Sequence, residues 1–290
     1  MIDRSGHDKK QGANPRQPRQ ATLGKEGNTV RWIRFSQQGR RAYGILEDDR
    51  LREVAGDPFQ GWEATAKSHA LADVKIEVPV LPPTFYCVGL NYAQHVLEAA
   101  SKLGIKAELP TQPDVGYRAV NALVAHEDAV VIPDGAQKVQ YEGELAVVIG
   151  KRARHLPEAD ALACVLGYTI GNDVSERLWQ KSDRTLWRAK NADTFKPMGP
   201  WIETDVDLER LETRVSVNGR ETTRFQTNAM LFGVATYIAT ITRYVTLYPG
   251  DVLWMGTDGT SPDLKAGDVV EVSIAGIGTL RNTFVAAAER

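Results

Sequence analysis

The chain has 290 residues and a formal net charge of −2, with 42% hydrophobic and 25% charged residues. Such a composition suits a water-soluble globular protein long enough to bury a large core. It carries no basic excess for nucleic acid, and its apolar runs fall far short of the roughly 20 residues that span a bilayer.

Residues 1–28 are basic and almost free of large apolar side chains. They lack the apolar centre of a secretory signal, so a disordered or extended tail is expected. Residues 29–80 read as a small N-terminal α/β domain. Thr29 to Val54 partly alternates apolar and polar, with a hairpin at Gly39. A short helix is predicted over Trp62 to Leu71. Pro79, Pro82 and Pro83 mark a boundary, after which residues 81–290 form one large domain.

Thr84 to Leu90 reads as a buried strand. Asn91 follows as a helix N-cap, with Gln94 completing a capping box and Gly104 closing the helix after Leu103. His95 and Glu98 are three apart and share a helix face. A carboxylate beside an imidazole fixes its tautomer and makes the neutral ring a stronger base, but the same spacing also fits an exposed ion pair. Ile105 to Gly116 is loop-like, and His126 is placed on a surface turn.

Glu144 to Ile149 is a short, almost wholly apolar run that reads as a strand entering a buried sheet. Side chains two apart share a strand face, so Glu142 and Glu144 project together, with Gly143 leaving room between them. Asp173 follows a second apolar run, Val165 to Ile170. Three carboxylates meeting at strand ends would suit a hard divalent cation; otherwise the two glutamates line a solvated edge.

Ser175 to Phe195 is polar, with Trp179 and Trp187, and reads as a loop or short helix covering a site. Its Arg177, Arg184, Arg188 and Lys190 could meet an anion or simply form a charged, solvated face. Asn218-Gly219 predicts a tight hairpin. Asn228 to Val245 shows helical apolar spacing, with Asn228 as its cap. The last third is short strands with Gly and Asp turns, including a polar loop over Thr257 to Ser261. Strands and helices do not alternate regularly, which argues against a Rossmann or TIM pattern, and no GxGxxG, P-loop or GxSxG occurs. Cys87 and Cys164 sit in apolar stretches without metal or redox spacing. They read as buried thiols, which suits a reducing, cytoplasmic setting.

Six segments in order, FYCVGLNYAQHVLEA, YEGELAVVIGKRAR, GYTIGNDVSERLWQ, AKNADTFKPMGPWI, LYPGDVLWMGTDG and GDVVEVSIAGIGTLRN, resemble the fumarylacetoacetate hydrolase family over about residues 80–285. The resemblance implies a β-rich α+β fold, with a mixed β-roll in the C-terminal domain and a smaller N-terminal domain, usually assembled as a homodimer. It implies Mg²⁺ or Mn²⁺, with Ca²⁺ as an alternative, held by Glu142, Glu144 and Asp173. His95 and Glu98 would activate water, and Lys190 would contact substrate or a developing oxyanion. Gly256 and Thr257 would bind the substrate carboxylate or ketone, with Arg118, Arg177 and Gln180 toward its distal end.

The activity implied is hydrolysis of a carbon–carbon bond in a small 2-oxo or diketo acid of the acylpyruvate or fumarylpyruvate type. The alternative is decarboxylation, isomerisation, or hydration or dehydration of a 2-oxo acid or dienedioate on the same site. Three segments depart from the family pattern: Gly256-Thr257-Asp258-Gly259-Thr260, Tyr117-Arg118-Ala119-Val120 and Lys190-Asn191-Ala192-Asp193. All three are expected to face substrate.

Overall fold

The computed structural model describes residues 29–104 and 106–288; the tail expected over 1–28 lies outside them. Strands β1 (Arg31–Gln37), β2 (Arg40–Glu47), β3 (Arg50–Asp57) and β4 (Gly61–Ala70) form an antiparallel meander. Gln38 and Gly39 make the first turn, both at positive φ. Strand β4 replaces the helix expected over Trp62 to Leu71. Its Ala, Glu and Lys favour a helix locally, but β3 offers a full ladder of hydrogen bonds, and most β4 side chains stay out of the core, as an edge strand allows. A 3₁₀ turn, Leu71–Asp73, and β5 (Lys75–Ile76) fold back onto β1.

Next come β6 (Phe85–Val88) and α1 (Ala93–Leu103), which Gly104 closes in the left-handed conformation at φ 65°. Asn91 does not cap this helix. Tyr92 stands at the cap without a side-chain bond, and Asn91 is buried, donating to the Phe232 and Met255 carbonyls and accepting from the Phe232 N–H. It ties three distant segments together.

The chain continues through β7 (Val115–Tyr117), β8 (Leu123–Val124), β9 (Ala129–Ile132) and β10 (Val139–Gln140) to β11 (Gly143–Ile149). His126, expected at the surface, is half-buried, and its Nδ1 accepts the Arg281 N–H at 3.1 Å. Then follow β12 (Val165–Asn172), β13 (Ser175–Glu176), α2 (Arg177–Gln180), β14 (Lys196–Glu203), β15 (Glu212–Val217), β16 (Arg220–Gln226), α3 (Val234–Tyr244), β17 (Val252–Trp254), β18 (Val269–Ile274) and β19 (Gly278–Ala286). The β15–β16 hairpin turns at Asn218-Gly219, as the dipeptide predicts. Asn228 caps nothing: Gly233 precedes α3, and Asn228 bonds the Glu209 carbonyl.

Two large sheets make a β-rich mixed roll, and β10 and β13 pair in a small third one. The larger runs β4-β3-β2-β1-β14-β12-β11-β17-β6-β7, and the smaller runs β16-β15-β18-β19-β9. The β1–β14 pairing joins the N-terminal meander to the main sheet. Strand β11 is buried on both faces. Leu145, Val147 and Ile149 enter the main core, while Ala146 and Val148 enter the core shared with the N-terminal meander. Each of these larger side chains contributes about 1.5–3 kcal/mol by leaving water, so this strand forms a rigid floor for whatever its ends carry.

Candidate metal centre and active site

Strand register builds the site. β11 and β12 are antiparallel, with Gly143 opposite Asn172 and Glu144 opposite Gly171. The two strand ends therefore leave the sheet side by side. The Asp173 N–H donates to the Glu142 carbonyl at 2.8 Å, and Asn172 Oδ1 accepts the Glu142 N–H at 3.1 Å. Glu142 and Glu144 do share one face. Gly143 serves the opposite face, however: a Cβ there would lie 2.8 Å from Val272 Cγ1 and 2.9 Å from Val215 Cγ2. The smaller sheet packs so closely under β11 that only glycine fits.

Glu142, Glu144 and Asp173 offer one oxygen each, all within 4.8 Å of one another, and all three residues are buried. They do not line a solvated edge. Four cations surround them. Arg118 grips Asp173 with Nη2 at 2.9 Å from Oδ2 and Nε at 3.3 Å from both oxygens. Lys190 Nζ bridges Glu142 Oε2 at 2.5 Å and Asp173 Oδ2 at 2.9 Å. Arg177 Nη2 lies 2.6 Å from Glu142 Oε1. Lys196 Nζ lies 2.7 Å from Asp173 Oδ1. Among the described residues no cation pairs with Glu144; its Oε2 accepts the Gly256 N–H at 2.8 Å.

The electrostatics follow from this arrangement. Burial pushes the Glu144 carboxyl up to about 8, and the charges of Asp173 and Glu142 push the same way. Burial also acts to raise Glu142, but Lys190 and Arg177 outweigh it and hold that carboxyl at about 2. Asp173 is held well below the usual carboxylate range by Arg118, Lys190 and Lys196 against the same opposing burial. Burial brings Lys196 down to about 8 despite Asp173. A bound cation would relieve the crowding that raises this buried carboxyl beside two others. The all-oxygen donor set suits a hard divalent ion, so the residues present fit a metal centre formed by Glu142, Glu144 and Asp173.

Of the residues singled out from the sequence, Arg118, Arg177, Lys190 and Gly256 contact the three carboxylates, and others have different partners from those expected. His95 Nδ1 lies 3.2 Å from the Gly259 carbonyl, and Glu98 accepts from Gln94 Nε2 at 3.0 Å. The structure does not bring His95 and Glu98 into an ion pair; the loop carbonyl orients the imidazole instead. Arg118 and Arg177 face the carboxylates, and Gln180 Oε1 accepts from Arg177 Nη1 at 3.0 Å. The Gly256 N–H is directed at Glu144, and Thr257 Oγ1 makes a long 3.4 Å contact with the Asp258 carbonyl. Arg118 also lines a cleft of about 940 Å³ walled by Tyr117, Trp179, Trp187 and Arg188. The segment over 175–195 is less solvated than its charge suggests: Ser175, Glu176, Ala189 and Phe195 are fully buried. Arg188 pairs with Asp183 and stacks over Trp179.

Sequence reasoning missed Lys196 and Glu176. Glu176 accepts the N–H groups of Gln137, Lys138 and Trp179, which pins the covering segment to the approach to β11. Lys196 had a readable signal, a lone lysine in the apolar run FKPMGPW, because a charge inside a buried strand needs a partner.

A family model described as "Fumarylacetoacetate (FAA) hydrolase C-terminal" matches residues 84–285. The chain belongs to the fumarylacetoacetate hydrolase family. A second family model, "Rv2993c-like, N-terminal", matches residues 30–79. Protein Rv2993c of Mycobacterium tuberculosis is 39% identical, covering 81% of this chain and 87% of that protein. The 2,4-didehydro-3-deoxy-L-rhamnonate hydrolase of a Sphingomonas species is 36% identical, covering 87% and 95%. The crystal structure of 2-hydroxyhepta-2,4-diene-1,7-dioate isomerase from Mycobacterium marinum superposes with a TM-score of 0.81 at 36% identity, covering 90% of this chain and all of that one. The named relatives thus include both a hydrolase and an isomerase. Among the described residues, no helix is long and apolar enough to cross a membrane.

Proposed function

We propose that this protein is a metal-dependent hydrolase that cleaves a carbon–carbon bond in a short diketo acid of the acylpyruvate or fumarylpyruvate type. The observation that carries this reading is the convergence of three buried carboxylates within 4.8 Å, with His95 on the adjoining helix. Glu142, Glu144 and Asp173 would hold Mg²⁺ or Mn²⁺. Such an ion supplies Lewis acidity toward the paired oxygens of a 2-oxo acid. A carbonyl can only accept, so the contact with Gly259 places the neutral imidazole's proton on Nδ1 and leaves Nε2 as the base. His95 Nε2 takes a proton from water, whose oxygen adds to the carbonyl remote from the carboxylate. The bond to the adjoining CH₂ breaks and its electron pair stays with the pyruvate half, which takes up a proton. The other half leaves as a carboxylic acid. Lys190 meets the oxyanion or returns that proton. A homodimer in the cytoplasm completes the reading.

A second reading, isomerisation or tautomerisation of a 2-oxo acid, is favoured by the absence of a His95–Glu98 pair. A lone base suffices to move one proton between carbon and oxygen. The test is to incubate the Mg²⁺-loaded protein with a panel of acylpyruvates and measure pyruvate and the released carboxylate. Equal amounts of both, lost with EDTA, support the hydrolase. Loss of the enol absorbance without cleavage products supports the isomerase.

A further inference from the structure

Lys196 has no part in the reaction described above, yet it is wholly buried. Its Nζ donates to the Val174 carbonyl at 2.9 Å and the Phe195 carbonyl at 2.8 Å and lies 2.7 Å from Asp173 Oδ1. Asp173 does not need this charge. Arg118 already grips both of its oxygens, and Lys190 contacts Oδ2. A neutral donor would satisfy the two carbonyls equally well. The positive charge of Lys196 is therefore surplus to the local pairing.

That surplus matters for whatever binds. Arg118, Arg177, Lys190 and Lys196 face Glu142, Glu144 and Asp173, four cations to three carboxylates. With all three carboxylates ionised the group is already one positive charge in excess, and a divalent ion adds two. Unbalanced charge inside a protein is strongly unfavourable. The negative charge that restores balance has to arrive with the ligand. With a divalent ion bound and all three carboxylates ionised, a monoanionic 2-oxo acid leaves two positive charges over, whereas a dianion leaves one.

We propose that Lys196 is a charge-selecting residue that biases this site toward ligands with two negative charges, such as a 2-oxo dicarboxylate, over monoanions of the same shape. This rests on reading the three carboxylates as the metal centre of a 2-oxo acid enzyme.

The test uses oxalate and oxamate, which are nearly isosteric and differ by one charge. Their affinities are measured by calorimetry at pH 6.5 on the Mg²⁺-loaded wild type and on Lys196→Gln, which keeps donors for the Val174 and Phe195 carbonyls. The wild type should prefer oxalate by a ratio roughly tenfold or more above that of free Mg²⁺ in the same buffer. In Lys196→Gln much of that extra preference should vanish, because the lost charge weakens doubly charged oxalate by about the square of the factor by which it weakens oxamate. A purely structural role for Lys196 would weaken both ligands alike. An unchanged ratio in the variant overturns the proposal. So does a wild-type ratio no larger than that of the free ion, which decides the matter even if the variant does not fold. If neither compound binds the Mg²⁺-loaded protein, the 2-oxo acid reading itself fails, a result distinct from equal binding of both.

Discussion

The Lys190 ammonium lies 2.5 Å from Glu142 Oε2 and bridges to Asp173 Oδ2. Mg²⁺ binds oxygen at about 2.0–2.1 Å, so an ion shared by these two oxygens would overlap the ammonium. An ion held there would displace Lys190 from these oxygens. Lys190→Met should bind Mg²⁺ about tenfold more tightly, because a competing charge is gone, while turnover is lost. Calorimetric titration of the EDTA-stripped variant checks this. Unchanged or weaker binding would show that Lys190 does not compete with the ion.

The neutral Glu144 carboxyl, held up at about 8 in the metal-free protein, has to lose its proton to bind metal. Its folded value lies above the ordinary 4.5, so the folded state binds this proton more tightly than the unfolded chain does. In the metal-free protein the stability contributed by this proton is full below pH 4.5 and is lost as pH rises toward about 8. Metal binding should accordingly release close to one proton between pH 6 and 7, and affinity should climb up to about pH 8. Titration in two buffers of different ionisation enthalpy measures the proton count. A count near zero would place Glu144 outside the metal centre.

The N-terminal meander carries its own ion cluster around the buried Glu53. The hydrogen bond from Arg40 to Glu53, against the opposing effect of burial and helped by His69, holds the Glu53 carboxyl at about 2. Its folded value lies below the ordinary 4.5, so its stabilisation is full above pH 4.5 and is lost as pH falls toward about 2. Glu53→Gln should lower the melting temperature at pH 7, and the gap from wild type should narrow steadily below pH 4.5. A gap that stays constant down to pH 3 would mean that packing, not charge, is what the substitution removes.

Gly143→Ala would place a methyl 2.8 Å from Val272 and 2.9 Å from Val215, inside a packed layer. Overpacking of this kind costs about 1–3 kcal/mol, and here it should also lift the strand that carries both glutamates. Denaturant unfolding should show the loss, and metal affinity should fall with it. Stability equal to wild type would mean that the smaller sheet yields more readily than its packing indicates.

Local pattern was enough to read some elements. The apolar run after Glu144, the Asn218-Gly219 turn and the left-handed Gly104 each depend on neighbours in sequence. Strand β4 was misread because its residues favour a helix alone, and only the ladder offered by β3 makes them a strand. Asn91 has a capping pattern around it, but its partners are Phe232 and Met255, more than a hundred residues away. In the site, the E-x-E pattern and Asp173 were legible as carboxylates that would meet. The destinations of Arg118 and Arg177 were not, because sequence shows a charge but not which of several acids will claim it. The His95–Glu98 spacing suggested a pair, and the Gly259 carbonyl took the imidazole instead.

The central claim is that Glu142, Glu144 and Asp173 form one metal centre on which turnover depends. The most direct measurement is Mn²⁺ binding by electron paramagnetic resonance on EDTA-stripped protein, with acylpyruvate cleavage assayed on the same samples. The account predicts one ion bound per chain, cleavage restored in proportion to bound ion, and both lost together in Glu144→Gln. Full cleavage by the stripped protein, or tight stoichiometric Mn²⁺ binding that survives Glu144→Gln, would contradict it.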